Sequence, residues 1–445
     1  MTIAVWQSAP ADIVREILKY FSCPLHVLTN GHSPDFPWYL GHICSAWRTV
    51  FRSMSTEFWS TFHLFRDWKS YETSVNDIVA TAEVFLHCNR GKFFSFNIRV
   101  TFETNILQVF IPESARWLNV SISLQKWQGS ILSPVKDHLP YLRSLELNNE
   151  YPVSDWDKRP TNPQGFCDQW DYFEIAPNLT YVKSNAVREW QFDWSNVTTL
   201  VLTGALGPWF HEIIPKLRNL EKLVIPVVKA TLEDYGNMSI VTLPRLRVLR
   251  TLEPMILTIL QTPSLEQLYI DDSTSRFGLE PVGTSFLNRS KCTLQNLYIG
   301  HFQPSGAFPA ILKRSPDIKS LTMRVSGHGP HCYRPHYELL TCRPNMPSLA
   351  PQLKELTIVF PYNSTDDTEG FTAMLTSRTA EGFPFVEQLQ QVIVVLDSRT
   401  PMPDAFQQIC EERGVSFNFV YNDCWHIKGN DISWDLEDDD IKWST

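Results

Sequence analysis

One hydrophobic phrase recurs along most of the chain, with an aliphatic residue at its first and fourth positions, in most copies another apolar residue at its sixth, and mostly polar residues between them. It is clearest in "LPYLRSLEL", "TPSLEQLYI" and "APQLKELTI", where a proline also lies two positions before the first aliphatic residue. Because side chains alternate along a strand, the fourth and sixth positions point to one side, and the phrase predicts one short strand per copy. The proline donates no amide hydrogen and therefore ends the preceding helix or loop.

Ten copies of the phrase are spaced on average about 27 residues apart, which lies within the period of leucine-rich repeats. They start at residues 142, 179, 197, 220, 246, 265, 294, 318, 353 and 389. A single copy cannot bury its own apolar face, so neighbours must stack with their strands in a parallel sheet on the concave side. Two earlier segments, "FFSFNIRV" and "RWLNVSISL", fit the rhythm loosely. We therefore predict an α/β protein whose residues 66–430 form an irregular leucine-rich-repeat-like solenoid.

The residues that flank the buried positions of each strand face solvent and are candidates for contact with a target protein. Tyr269 and Tyr298 stand at equivalent places on adjacent repeats, and exposed aromatic side chains supply a large contact area at little entropic cost. The other candidates for target contact are Gln267, Asn296, Arg324 and Glu355. Ordinary strand propensity is the alternative reason for finding two tyrosines there.

The pattern of the first 65 residues is helical instead. In "SAPADIVREILKYF" the apolar residues fall at steps of three and four, with charged residues on the other side, which predicts an amphipathic helix. After a loop rich in Pro, Gly and His, a second stripe runs from Leu40 to Phe51. Ser55 is positioned to cap a third, short helix that turns Phe58 and Trp59 inward. The prediction for residues 1–65 is a three-helix module.

This N-terminal pattern resembles the F-box as it occurs in many fungal proteins, where a Leu-Pro-initiated helix leads to a Cys-x-x-Trp-Arg helix and a final Leu-Trp. The resemblance implies a module that binds a Skp-family adaptor and, through it, a cullin ubiquitin ligase, while the repeats bind an unknown target protein. The residues that it marks for adaptor binding are Pro10, Ile13, Ile17, Leu18, Leu40, Ile43, Cys44, Trp47 and Trp59, and Arg48 also matches the motif.

Two residues, Ala9 and Phe58, depart from that family pattern. Two that match it, Trp47 and Trp59, need not be adaptor-binding residues. Ala9 stands where the family usually has Leu, and Phe58 replaces the Leu before the final Trp. A smaller side chain at Ala9 removes one apolar contact to the adaptor, worth on the order of 1–3 kcal/mol if that site is buried. Trp47 and Trp59 are equally explained as core residues of a helical bundle. A protein-interaction scaffold outside the ubiquitin system is therefore the alternative function.

Composition and charge narrow the classes of partner. The formal net charge is −9, and Lys and Arg are scattered along the chain, so a nucleic-acid partner is not expected. The N-terminus lacks the pattern of a signal peptide and the longest aliphatic run is "VIVVL", so we expect no membrane span and a cytoplasmic or nuclear location. Nine dispersed cysteines without a CxxC pair are typical of reduced thiols.

No catalytic motif and no cofactor site is predicted from the sequence. The stretch "SGHGPHCYRPHYELLTC" collects His328, His331, Cys332, His336 and Cys342, which are zinc-ligand types, but their spacing matches no familiar zinc signature and no metal is expected. A hydrolytic enzyme using this loop is the third functional alternative. Residues 431–445 form an acidic tail, for which a solvated end is the expected role. The overall expectation is a non-catalytic adaptor.

Overall fold

The computed structural model describes residues 9–21, 25–28, 31–32, 36, 38–65, 75–98, 104–124, 126–149, 170–185, 190–203, 210–225, 239–252, 254–271, 279–302, 307–325, 334–344, 346–359, 368–380, 386–397 and 404–422. By contact density the chain divides into two compact units, Met1–Gly204 and Ala205–Thr445. Each is an α/β unit built on parallel strands. The predicted fold class is confirmed at this level.

The first unit contains short helices and a sheet that begins close to the N-terminus. Its α-helices are α1 (Ala11–Lys19), α2 (Ser45–Ser53), α3 (Val75–Asn89) and α4 (Thr104–Phe110), and its 3-10 segments are Trp38–His42, Ile111–Arg116, Lys126–Val135 and Trp194–Asn196. Its strands are β1 (Leu25–Leu28), β2 (Gly31–His32), β3 (Thr61–Phe65), β4 (Phe94–Ile98), β5 (Trp117–Leu124), β6 (Ser144–Asn149), β7 (Trp170–Phe173), β8 (Tyr181–Ser184), β9 (Trp190–Phe192) and β10 (Thr199–Leu202).

The strands of the main sheet in this unit follow the order β2-β1-β3-β4-β5-β6-β8-β10. All neighbours with a described register are parallel except β1 and β2, which are antiparallel. Strands β7 and β9 form a separate parallel pair. The register places one buried apolar side chain per strand in a continuous row, formed by Leu25, Phe62, Phe96, Val120, Leu145, Val182 and Leu200.

The second unit is likewise built from parallel strands and short helices. Its α-helices are α5 (Phe210–Ile213), α6 (Leu279–Ser290), α7 (Ala307–Arg314), α8 (Arg334–Leu340), α9 (Thr368–Thr379) and α10 (Asp404–Glu412), with 3-10 segments at Ile214–Lys216 and Pro254–Thr258. Its strands are β11 (Lys222–Ile225), β12 (Val241–Thr242), β13 (Val248–Thr251), β14 (Leu260–Gln261), β15 (Gln267–Asp271), β16 (Asn296–Phe302), β17 (Ser320–Val325), β18 (Glu355–Val359), β19 (Gln391–Asp397) and β20 (Ser416–Asn422).

In this unit the strand order is β11-β13-β15-β16-β17-β18-β19-β20, all parallel, with β12 and β14 as a small second pair. The fourth positions of the recurring sequence phrase lie in register on neighbouring strands. Leu223, Leu249, Leu268, Leu297, Leu321, Leu356 and Val392 stand opposite one another on successive strands, and all are buried. Each of the ten predicted copies is followed, two residues after its first aliphatic position, by the start of a strand. The predicted strands are therefore confirmed.

Helices of the second unit pack side by side through aromatic rings. The ring of Phe308 on α7 lies 5.8 Å from that of His336 on α8, and Tyr337 lies 5.7 Å from Phe371 on α9. The ring of Phe371 in turn lies 4.3 Å from that of Phe406 on α10. These contacts join neighbouring repeats through their helices, in addition to the hydrogen bonds between their strands.

A second link between repeats lies at the residue that follows the proline of the phrase. Asn178 donates a side-chain hydrogen bond to the carbonyl of Pro140 in the preceding repeat at 2.6 Å, and Ser264 donates one to Pro244 at 2.7 Å. Gln352 donates to the Asp317 side chain at 2.9 Å. Polar side chains at this position therefore tie successive repeats together, which explains their recurrence after the proline.

Arginine side chains near the ends of two helices donate hydrogen bonds to backbone carbonyls of the irregular segments beside them. Arg378 on α9 is almost fully buried and donates to the carbonyls of Leu340, Ala350 and Leu349 at 2.7, 3.1 and 2.6 Å. Its burial lowers the pKa of the guanidinium. Arg289 on α6 similarly donates to the carbonyls of the segment 257–260. Such groups keep non-helical backbone from being buried without hydrogen bonds.

Two features of the N-terminal prediction differ in the structure. The prediction of a third helix is wrong. Residues 55–58 form turns, because only a few residues separate α2 from β3. The predicted loop after the first helix contains β1, whose Leu25 and Val27 are buried and which pairs in parallel with β3. Residues 61–65 thus belong to the same sheet as the repeat strand β4.

No helix in the described ranges combines the length and apolarity that crossing a bilayer requires.

Candidate functional site

Helix α1 has residues at both ends that favour a helix. Pro10 is its N-cap, Asp12 lies in the first turn and Lys19 in the last, each opposing the helix dipole. Its apolar residues divide into two neighbouring stripes. Val14 and Leu18 are buried at 1% and 0% exposure. These two side chains anchor α1, which packs on α2.

The other apolar stripe of α1 faces outward. Ile13 is 51% exposed, Ile17 is partly exposed, and Tyr20, just past the helix, is 89% exposed. The steps of four and three residues place them along one line of the helix. We call Ile13, Ile17 and Tyr20 the outer stripe of α1.

Further exposed apolar groups lie in the segment before α2. Tyr39 and Ile43 are both exposed, and Cys44 is partly exposed. Arg48 on α2 donates from its Nε to the carbonyl of Gly41 at 2.8 Å, which fixes this segment against the helix. The matched arginine of the motif therefore has a structural role here.

An aromatic cluster fills the centre beneath these helices. Phe51 and Phe58 have ring centroids 4.8 Å apart, and Trp59 lies 5.3 Å from Phe51 and 5.4 Å from Phe36. The indole Nε1 of Trp59 donates to the carbonyl of Phe51 at 3.2 Å. Trp59 is 1% exposed and Trp47 is also buried. The alternative interpretation of both tryptophans, as core residues, is the one that this packing favours.

The residues marked for adaptor binding therefore separate into two groups. Exposed or partly exposed are Pro10, Ile13, Ile17, Ile43 and Cys44, whereas Leu18, Leu40, Trp47 and Trp59 are enclosed by the chain itself. The sequence pattern does not distinguish the groups, because both stripes of α1 have helical spacing. Tyr20 and Tyr39 join the exposed group, although the sequence analysis did not select them.

The second candidate surface is the solvent face of the strands in the second unit. Tyr269 and Tyr298 stand in register on β15 and β16, with ring centroids 6.0 Å apart and planes 28° from parallel. Gln267 and Asn296 are the register pair two residues earlier, and the Tyr269 hydroxyl lies 3.4 Å from Oε1 of Gln267. The structure thus brings together the four candidates on β15 and β16.

The other two candidates lie farther along the sheet. Glu355 on β18 is exposed and follows Gln267 and Asn296 in the same row, separated from Asn296 by Ser320. Arg324 on β17 is only 8% exposed, which contradicts the expectation that it faces solvent. Strand alternation predicts the side of the sheet but not how deeply a side chain is covered.

Arg250 also lies at this surface, at a position predicted to face solvent but not selected as a candidate for target contact. It lies on β13 in register with Tyr269, and its guanidinium carbon is 4.5 Å from the centre of the Tyr269 ring. The signal was present in the sequence, because Arg250 occupies the same position of its repeat as Tyr269 and Tyr298. This cation–π contact holds the Arg250 guanidinium against the Tyr269 ring.

The residues considered for zinc do not form a site where they are described. His336 is fully buried against Phe308, and Cys342 is buried with its backbone N–H bonded to the Ser377 hydroxyl at 2.9 Å. His328, His331 and Cys332 lie outside the described residues, as does the acidic tail. Within the described segments no group of three or more His, Cys, Asp or Glu side chains is arranged to hold a metal ion.

Comparison with known proteins adds no family assignment: no family model matches the sequence, and no curated protein shows significant similarity to it.

Proposed function

We propose that this protein is a non-catalytic substrate adaptor of a cullin-type ubiquitin ligase. Its N-terminal segment binds a Skp-family adaptor, and the solvent face of its repeat strands binds a target protein. The observation that carries the first part is the outer stripe of α1, which exposes apolar side chains within the segment that resembles an F-box. Exposed apolar side chains on one line of a helix are what a partner helix buries.

The buried residues of the motif support this proposal in a different way. Trp59, Phe51 and Phe58 form the core against which α2 packs, and α1 in turn packs on α2. The aromatic cluster thus holds α1 in place, and the partner contacts are left to the outer stripe and to Tyr39 and Ile43. We expect the adaptor to contact these exposed residues and not the tryptophans.

The experiment is a binding titration of the full chain with a recombinant Skp-family adaptor. Ile13→Glu should weaken binding by about tenfold or more, because a charge would be buried at the interface. Arg15→Gln, an exposed position two residues after Ile13 and therefore on a different face of the same helix, is the matched control and should bind like the parent. Absence of binding by the parent chain, or equal binding by both variants, would reject the ligase role.

A scaffold outside the ubiquitin system is the second candidate. It is favoured by the burial of Trp47 and Trp59 and by the small Ala9 at the start of the motif. Under that function the chain binds its target without a Skp-family adaptor. Co-purification from native cells, with and without Ile13→Glu, separates the two: ligase components should disappear with the variant only if the adaptor function holds.

A further inference from the structure

Among the described residues of the second unit, the strand face that carries Tyr269 and Tyr298 also carries a cationic group, Arg250, with no carboxylate partner. Val224, Arg250, Tyr269 and Tyr298 follow one another in register on β11, β13, β15 and β16. We call Arg250, Tyr269 and Tyr298 the Arg-Tyr row. The three side chains are partly exposed and stack in sequence, guanidinium on ring and ring on ring.

The electrostatic surroundings of Arg250 differ from those of Arg247 and Arg334 in the same unit. Arg247 pairs with Glu266 at 2.8 Å, and Arg334 pairs with Glu338 at 3.3 Å. In the part of the chain that the structure describes, Arg250 has no ion-pair partner, and its buried Nε has no hydrogen-bond acceptor. The Tyr269 ring attracts the positive charge but leaves the N–H donors of the guanidinium unused.

A partly buried guanidinium with unused donors is a site for an anion, since charge-assisted hydrogen bonds to it are stronger than neutral ones. The fork of a guanidinium fits a carboxylate with two parallel hydrogen bonds. The face around it is otherwise suited to a peptide: Tyr269 and Tyr298 offer flat aromatic surface, and Gln267 and Asn296 offer amide groups beside them.

We propose that the Arg-Tyr row binds an aspartate or glutamate side chain of an acidic target segment, with the carboxylate on Arg250 and a neighbouring residue of that segment on Tyr298. This inference rests on the proposed target-binding role of the sheet face. A carboxylate is preferred to a phosphate because a phosphate carries about two charges and is generally held by several cations. Arg250 is the cation of the row, and Arg324, three strands away from it, is buried.

The test uses random peptides displayed on phage and selected on the immobilised full chain. Selected sequences should share an Asp or Glu at one position, and a synthetic peptide from the selection should bind Arg250→Gln about tenfold more weakly or worse. Arg250→Lys should bind at an intermediate level, because it keeps the charge and loses the fork. The matched control is Arg245→Gln, an exposed arginine just before the same strand, which should leave affinity unchanged.

Charge reversal gives a second, independent measurement. Selection on Arg250→Glu should replace the acidic position by Lys or Arg, a result that a merely misfolded variant does not produce. The inference is overturned if no peptide is enriched, if enriched peptides lack the acidic preference, or if Arg250→Gln binds them like the parent. It is also overturned if replacing the acid by phosphoserine strengthens binding by about tenfold or more, since the ligand would then be a phosphate.

The outcome is separable from that of the proposed ligase role. Adaptor binding depends on the outer stripe of α1, and peptide binding depends on Arg250. Each is measured on the same preparation of the full chain. Loss of peptide selection with intact adaptor binding rejects the carboxylate site alone, and the opposite result rejects the ligase role alone.

Discussion

The side-chain amide of Asn89 donates a hydrogen bond of 2.6 Å to the backbone carbonyl of Trp59. Asn89 is the last residue of α3 and is fully buried, and its Oδ1 accepts a hydrogen bond from Arg116. Arg116 also donates to the carbonyl of Lys92 at 2.8 Å. One buried amide therefore links the segment that contains Trp59 to the residues that precede β5.

Replacing Asn89 should therefore destabilise the whole first unit. Asn89→Leu removes a donor to Trp59 and an acceptor for Arg116 inside the core, at an expected cost of about 3 kcal/mol in the free energy of unfolding. Urea unfolding of the full chain measures it. Asn105→Leu, at an exposed position of α4, is the control and should change stability by less than about 0.5 kcal/mol. Equal effects of the two substitutions would contradict the bridging role.

The two stripes of α1 should respond differently to truncation. Leu18→Ala removes a fully buried side chain and should lower the free energy of unfolding by about 2–5 kcal/mol. Ile13→Ala, half-exposed on the neighbouring stripe, should cost less than about 1 kcal/mol. Thermal unfolding monitored by circular dichroism compares them. If Ile13→Ala were as destabilising as Leu18→Ala, the outer stripe would be part of the core and unavailable to a partner.

Arg378 should be among the most sensitive polar residues of the second unit. Arg378→Met fills similar space but removes three hydrogen bonds to backbone carbonyls, of which only that of Ala350 keeps another described donor, the Leu353 N–H, and we expect a loss of about 3 kcal/mol or more. Arg378→Lys should recover part of it, because one ammonium group reaches fewer of the carbonyls. The exposed Arg343 provides the comparison, and Arg343→Met should be nearly neutral. Chemical denaturation followed by tryptophan fluorescence reports the difference.

Two thiols should be unusually slow to react. Burial raises the pKa of the Cys292 thiol to about 11 and that of Cys410 to about 12. Because the thiolate is the reactive form, Cys292 at pH 8 should have about a hundredfold less of it than a thiol with the ordinary pKa of 9.0. Iodoacetamide labelling of the native chain, read by mass spectrometry with the urea-unfolded chain as reference, measures this. Equal labelling rates in both states would contradict it.

The same raised pKa values set the sign of a stability change at high pH. Folding favours the neutral thiol, so this contribution is complete below the unfolded pKa of about 9 and is lost as pH rises through the folded value of about 11. The parent chain should therefore lose more stability between pH 9 and pH 11 than Cys292→Ala. A parent and variant that lose stability in parallel over that range would refute this.

The strand pattern was predictable because one physical rule sets it. Leu297 and Ile299 are buried since alternate side chains share a face, and the same rule holds for every copy of the phrase. Strand β1 was missed because its four residues lie in a segment rich in Gly, His and Pro, and its partner β3 is distant in sequence. The alternation of Leu25 and Val27 was the available signal.

The candidate sites were less predictable than the fold. Ile13 and Leu18 have the same helical spacing, and only tertiary packing decides which one is covered. Asn89 and Arg378 are polar residues at helix ends, and nothing in their local sequence indicates that they are buried beside open carbonyls. The sequence shows Arg250 as the equivalent of Tyr269, but that no carboxylate of the described residues pairs with it depends on tertiary packing.

Strand β3 pairs in register with β4, with Phe62 opposite Phe96. Backbone hydrogen bonds, and not a tether, thus connect the helices before β3 to the strands that follow. Under the proposed function, the orientation of a partner bound to α1 relative to β4 is set by this pairing, and inserting residues between 65 and 75 should leave that orientation unchanged. The pairing of β3 with β4 therefore fixes the direction in which α1 is presented.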